Sequence, residues 1–277
     1  MLYGIDSERI LTLTKHAVNV RLTLLQMIYL AQSGHPGGSL SCADILTALY
    51  FDVLRIDPDK PDWPERDRFV LSKGHCCPAL YACLILRGFI PKTQVNSLRK
   101  YGSILQGHPD RKKTLGVDAS TGSLGQGAAI GVGMAIALKN SKPLIYVLVG
   151  DGETQEGIIW ETAQAASKYH LDNYIVLVDA NRIQNDGFCD DIMPTNDIGA
   201  KFTAFGFEVT RTDGHNMAMI LNALDKTRLN RNGKPKCIVF QTVKGKGVPF
   251  MENNPVWHGT APNETQYQEA VNWIQKM

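Results

Sequence analysis

No apolar run in the 277 residues approaches the roughly 18 that a membrane-spanning helix needs, so no membrane partner is expected. The opening MLYGIDSERI lacks the basic-then-apolar order of a secretory leader, and a cytoplasmic location is the expectation. Charge of either sign is not in excess. Twenty-nine Lys and Arg against 27 Asp and Glu leave a formal +2, without a long basic or acidic block, so no nucleic-acid partner is expected. None of the six cysteines (Cys42, Cys76, Cys77, Cys83, Cys189, Cys237) belongs to a C-x-x-C pair, which argues against zinc. Reduced, buried thiols are expected instead. No tandem repeat, low-complexity tract or interdomain linker interrupts the chain, so residues 1–277 are expected to form a single domain.

What is present is an α/β pattern. Apolar residues are 44% of the chain, enough for a sizeable core. LTKHAVNVRLTLLQMIYLAQ has helical spacing and stops at the breaker cluster Ser33-Gly34-His35-Pro36-Gly37-Gly38. Ser41 is then expected to cap a second helix, CADILTALYFDVL. RFVL predicts a short strand, and PALYACLILR a helix closed by Gly88. The small residues of GQGAAIGVGMAIALK predict a helix packed very close to its neighbours. From there strands and helices alternate: PLIYVLVGD, TQEGIIWETAQAASKYH, NYIVLVDAN, then FEVTRTD, NMAMILNALDKTR and KCIVFQTV. Such alternation predicts a mostly parallel central sheet with helices on both faces.

The stretch VGDGETQEG concentrates the chemistry. Asp151 ends one predicted strand and Asn181 follows the next, so both fall at the carboxyl edge of the sheet, where open α/β sheets bind ligands. A carboxylate and an amide oxygen are hard donors, suited to magnesium or calcium rather than to zinc or copper. Two side chains do not complete an octahedron, and magnesium commonly fills the remainder with phosphate oxygens, a backbone carbonyl and water. Glycines flanking Asp151 permit close approach of a phosphate, and the helix that follows offers free N–H groups. A plain turn explains Gly-Asp-Gly alone; the Asn thirty positions later makes a magnesium–diphosphate site the better reading.

Gly-Asp-Gly followed at that distance by Asn at a strand end resembles the thiamine-diphosphate signature. The blocks SGHPGGSLS, FVLSKGH, GHPD, STGSLGQG, DGHN and KGKGVPFMENNPVWHGTAP resemble those of transketolase, in transketolase order. The chain is therefore similar to the N-terminal subunit of a split transketolase. The resemblance implies a thiamine-diphosphate-binding fold, with thiamine diphosphate and Mg2+ as cofactors and Ca2+ or Mn2+ as substitute ions. It implies that Asp151, Asn181 and the Ile183 carbonyl bind the metal, that Gly152 and His75 meet the diphosphate, and that Gly122, Ser123 and Leu124 line the rings. His35, His108 and His258 would face the reacting carbon and the substrate hydroxyls. Glu156 and Glu161 match acidic residues near a subunit interface. Two departures are visible: Lys73 stands where Asn is common, which is expected to make the pocket more positive, and Ser123 where Pro is frequent. A C-terminal transketolase subunit would supply the pyrimidine-binding domain and the cofactor-activating glutamate, in a heterotetramer of two copies each acting on sugar phosphates. The segments GSLGQGAAIGVGM and EGIIWE are candidates for the interface.

Histidines suit this chemistry because imidazoles donate or accept protons near neutrality while hydroxyls and alkoxides interconvert. His16 and His170 fall on predicted helices and read as structural; His215 in DGHN is explained equally by function or by helix capping. Other readings stay open. A related ketol transferase acting on unusual sugars and a subunit like 1-deoxyxylulose-5-phosphate synthase are neighbouring activities. A thiamine-diphosphate module without turnover is a non-enzymatic alternative. GQGAAIG also resembles a dinucleotide loop, which requires a strand directly before it.

Overall fold

In a computed structural model, which describes residues 6–277, five strands form one wholly parallel sheet in the order β1-β2-β3-β5-β4. The strands are β1 (Arg68–Leu71), β2 (Ile145–Gly150), β3 (Tyr174–Ala180), β4 (Glu208–Asp213) and β5 (Lys236–Gln241). Their side chains alternate between two apolar layers, as the pleat requires. Phe69, Leu71, Tyr146, Leu148, Ile175, Leu177, Ile238 and Phe240 face one way. They pack beneath α1 (Ser7–Ala31), α3 (Ala43–Ala48), α4 (Cys77–Arg87), α9 (Met217–Leu229) and α10 (Glu264–Ile274). Val70, Val147, Val149, Tyr174, Val176 and Val239 face the other way, against α5 (Gln126–Ala137), α6 (Gly157–Lys168) and α8 (Ile198–Ala204). The central strands are apolar on both sides because helices cover both faces.

Punctuation follows local chemistry. Asp6 caps α1 by accepting from the Arg9 N–H, and Gly88 ends α4 at φ 90°, a conformation that suits glycine. Among the described residues no helix is long and apolar enough to cross a membrane. All six cysteines are buried and unpaired.

Two expectations are corrected. The breaker cluster ends α1 but also begins a helix, α2 (Pro36–Ser41), with His35 as its N-cap residue and Pro36 in the first turn. Proline at that position is preset for a helix, and the glycines allow tight packing: a Cβ on Gly38 would lie 2.6 Å from the Cys76 sulfur. Ser41 is therefore the last residue of α2, not a cap, and its hydroxyl donates to the Asp179 carboxylate. His170 lies beyond α6 at φ 52° rather than on the helix. The short α7 (Cys189–Ile192) and α8 were not evident from periodicity.

Candidate functional site

Four neighbouring strands end at one edge, and each is followed by a polar residue of the same cavity. Lys73 follows β1, Asp151 follows β2, Asn181 follows β3, and Lys244 follows β5. The cavity measures ≈ 290 Å³ and is also lined by Gly152, Glu153, Ile183 and Gln184, with His75 and His258 above the strand ends. Its size lies at the lower end of ordinary small-ligand sites.

Asp151 is 4% exposed. One carboxylate oxygen accepts from the Gly152 N–H at 2.8 Å, the other from the Arg182 N–H, one residue past Asn181. Burial first, and the Asp179 carboxylate second, push Asp151 up to about 6. A carboxylate held in this way gains from a nearby cation. Asn181 is oriented by its amide group: Nδ2 donates to Ser41 Oγ and Asp179 Oδ2, both at 3.2 Å. That leaves Oδ1, which accepts from the Ile183 N–H at 3.1 Å, as the oxygen available to a ligand. The Ile183 carbonyl accepts from Lys244 Nζ at 2.8 Å. The three candidate metal donors are thus all hard oxygens bordering one cavity, a set that fits magnesium and a diphosphate.

Lys73 does not make the pocket more positive, as its sequence position suggested. Its Nζ donates to Asp179, which is fully buried, and to the Gly38 carbonyl at 3.1 Å. Burial lowers the Lys73 pKa most, but Asp179, joined by Cys42 and Cys76, more than reverses it, so Lys73 stays charged and that charge is met by Asp179 rather than left free in the pocket.

Three imidazoles meet over the cavity. The ring centroids of His35 and His75 are 5.2 Å apart, those of His75 and His258 5.2 Å, and those of His35 and His258 5.4 Å. Burial, reinforced by His75, takes His35 down to about 4; burial and then Lys244 take His258 down to about 3. Both rings are neutral at pH 7, and their tautomers follow from their partners. Arg99 Nη2 lies 3.4 Å from His35 Nδ1, and Lys244 Nζ lies 2.7 Å from His258 Nδ1. A guanidinium and an ammonium can only donate, so Nδ1 accepts in each ring and Nε2 carries the proton. Lys244 itself is drawn to about 8 by burial and remains mainly charged at neutrality.

His108 stands apart from this triangle. It is exposed, and its ring packs on Gly122, where a Cβ would come within 3.1 Å of it. Gly122 has φ 153°, Leu124 borders the cavity, and Ser123 is exposed beside it. Glu156 lies at the cavity rim and Glu161 is exposed on α6. His215 is structural in this arrangement: Nδ1 donates to Asp44 at 2.8 Å while Nε2 accepts from the Val243 N–H at 2.8 Å. His16 stacks on Phe51. The segment before α5 is not a strand, so the dinucleotide reading lacks its required context.

Sequence reasoning missed Glu153, Arg99 and Lys244. Glu153 is 3% exposed; it accepts from Ser72 Oγ, from the Gly125 N–H at 2.8 Å and from the Gly150 N–H at 3.0 Å. It joins the ends of β1 and β2 to the start of α5. Nothing local distinguishes it from an ordinary acidic turn residue.

The family model described as transketolase, thiamine diphosphate binding domain, matches residues 13–273. The chain is 44% identical over 265 residues to one subunit of the apulose-4-phosphate transketolase of Phocaeicola vulgatus, covering 94% of this chain and 92% of that one. It is 42% identical over 272 residues to the 6-deoxy-6-sulfo-D-fructose transketolase subunit SqwG of a Clostridium species, covering 98% of each. Among solved structures, transketolase from Campylobacter jejuni superposes with a TM-score of 0.90 at 34% identity, over 96% of this chain. The present chain spans only 43% of that protein's length, but nearly all of the two subunit-sized relatives.

Proposed function

This chain belongs to the transketolase family as a thiamine diphosphate-binding domain, and from that premise we propose that it is the diphosphate-holding subunit of a two-chain transketolase. Together with a chain that carries the pyrimidine-binding domain and the activating glutamate, it transfers a two-carbon ketol unit. The donor is a ketose phosphate such as xylulose 5-phosphate and the acceptor an aldose phosphate such as ribose 5-phosphate. One observation carries this reading: a buried carboxylate, an amide oxygen and a backbone carbonyl border a single cavity beneath a triangle of histidines.

In this reading Asp151, Asn181 and the Ile183 carbonyl hold Mg2+, and Gly152, His75 and Lys244 meet the diphosphate. When bound, thiamine diphosphate supplies a nucleophilic carbon and an electron sink for breaking a carbon–carbon bond. The protein orients, excludes water and handles protons. His35 and His258 are neutral with protonated Nε2, so each can donate to a developing alkoxide and take the proton back. His108, at the exposed rim, meets the substrate hydroxyls farther from the reacting carbon. Lys244 and Arg99 keep the two half-buried rings in the donating tautomer.

The chain acts in the cytoplasm as one domain, in a heterotetramer of two copies of each subunit. Ile130 and Ile136 remain 38% and 45% exposed on α5, an apolar surface suited to a subunit contact. A second reading of the sugar has its own support: the subunits at 44% and 42% identity are named for apulose 4-phosphate and sulfofructose, whereas a full-length transketolase from Pongo abelii is 37% identical. The test is to purify the chain with its partner, add thiamine diphosphate and Mg2+, and compare xylulose 5-phosphate with branched and sulfonated ketoses. Ketol transfer from any of them supports the activity, and the preferred donor decides between the two sugars. A correctly assembled pair that retains cofactor but cleaves no ketose would refute the proposal.

A further inference from the structure

At the other end of the sheet, before the first residue of β1, lies a second cavity of ≈ 300 Å³. It is lined by Arg66, Arg111, Lys112 and Gly116 among others, and Asp62 is the only acidic side chain in its wall among the described residues. Arg66 is the fixed element. Its side chain is 15% exposed; Nη2 donates to Asp118 at 2.6 Å and Nη1 to the Asp67 carbonyl at 3.1 Å. Its Nε–H is buried without a partner among the described residues. Such a donor is costly to leave unmade.

In the wall Arg66, Arg111 and Lys112 stand against Asp62, and next to it Asp110 accepts from the Lys112 N–H at 2.9 Å. Arg68 sits beside Arg66 and reaches Asp118 only at 4.0 Å, while one Asp118 oxygen is already engaged by the Phe69 N–H. Burial and then the neighbouring Arg66 lower the Arg68 pKa, with Arg111 contributing. Backbone donors are also available, because the Leu115 and Gly116 N–H groups find no protein acceptor among the described residues. Gly116 has φ 83°, and a Cβ there would lie 2.6 Å from Leu84, so this turn requires glycine.

We propose that this cavity is a second, non-catalytic binding site for a small phosphate monoester. A dianionic phosphate matches a wall of guanidinium, ammonium and amide donors, and Pro61 and Leu115 offer apolar surface to an attached sugar. Arg111 to Val117 of the wall belong to the loop between His108 and Gly122, whose two ends pack on each other.

The test uses the full chain labelled with 15N, titrated with inorganic phosphate and with ribose 5-phosphate at constant ionic strength, and with chloride as control. Saturable shifts of the Leu115 and Gly116 amides are expected for both phosphates and not for chloride. Lys112→Gln is expected to weaken binding about tenfold or more, the loss of one charge-assisted contact, and Arg111→Gln with Lys112→Gln to remove the response. Both residues are exposed, so the variants should fold as the parent does. Asp151→Asn is expected to leave these shifts intact, separating this cavity from the catalytic edge. Non-saturating shifts, equal shifts with chloride, or titrations unchanged in the double variant would overturn the proposal.

Discussion

Removing the positive half of the Lys73–Asp179 pair should be among the most damaging single changes to the fold. Asp179 is fully buried on β3 and Lys73 is 2% exposed, so Lys73→Met strands a carboxylate in the interior. Ser41, Thr242 and Asn181 still donate to Asp179, but none of them carries charge. Breaking a buried pair from one side costs about 3–5 kcal/mol. For a chain of this size that corresponds to a fall in Tm of roughly 10 °C, at about 2–4 °C per kcal/mol. Thermal and urea denaturation of the single variant would measure the loss. The double variant Lys73→Met with Asp179→Asn should recover most of it, since no charge is then left unpaired and the introduced amide oxygen still accepts from Asn181. A single variant within about 1 kcal/mol of the parent, the range of exposed ion pairs, would refute the reasoning, because it would mean that water reaches Asp179. So would a double variant no more stable than Lys73→Met.

Further outcomes follow from other parts of the structure. In Asp44, burial, the largest influence, acts against ionisation, but Arg21 and His215 overcome it and hold the pKa at about 2 against an ordinary 3.8. The folded value is depressed, so this stability is present above pH ~4 and lost as pH falls through about 2. It amounts to ~2 kcal/mol, and a urea-melt series should show the parent losing that much more than Asp44→Asn across the window. Gly127→Ala places a Cβ 2.6 Å from the Ser72 backbone and should cost about 1–3 kcal/mol, whereas Gly133→Ala meets nothing within 4 Å and should gain about 0.5–1 kcal/mol of helix stability; melting curves decide both. In the assembled enzyme, Asp151→Ala should abolish magnesium-dependent retention of thiamine diphosphate in gel filtration, and equal retention by parent and variant would defeat that assignment. His258→Ala should keep the cofactor and slow kcat by about 10²–10⁴, the usual contribution of a proton-transferring group.

The alternation of apolar segments and turns was enough to predict all five strands and most of the long helices, because β1, β2, β3 and β5 are buried, largely apolar runs that stand out along the chain, while the half-exposed edge strand β4 was legible from its place in the strand–helix alternation. It also placed Asp151 and Asn181 at strand ends, since both follow directly on such runs. Local chemistry was less reliable where packing overrode it. Pro36-Gly37-Gly38 was legible as a breaker, yet contacts with Cys76 and Lys244 accommodate it as a helix. Lys73 was legible as an added charge, but its neutralisation by Asp179, 106 positions away, was not.

By itself the sequence determined the parallel α/β class and the places of Asp151 and Asn181 at strand ends, because each is written in residue types and spacings within about thirty positions. Only the tertiary structure decided the strand order, in which β5, and not β4, is the neighbour of β3. That crossover brings Lys244 to the Ile183 carbonyl and to His258, which fixes the tautomer of a half-buried imidazole. A crossover depends on how whole layers pack, and no local pattern of side chains encodes it.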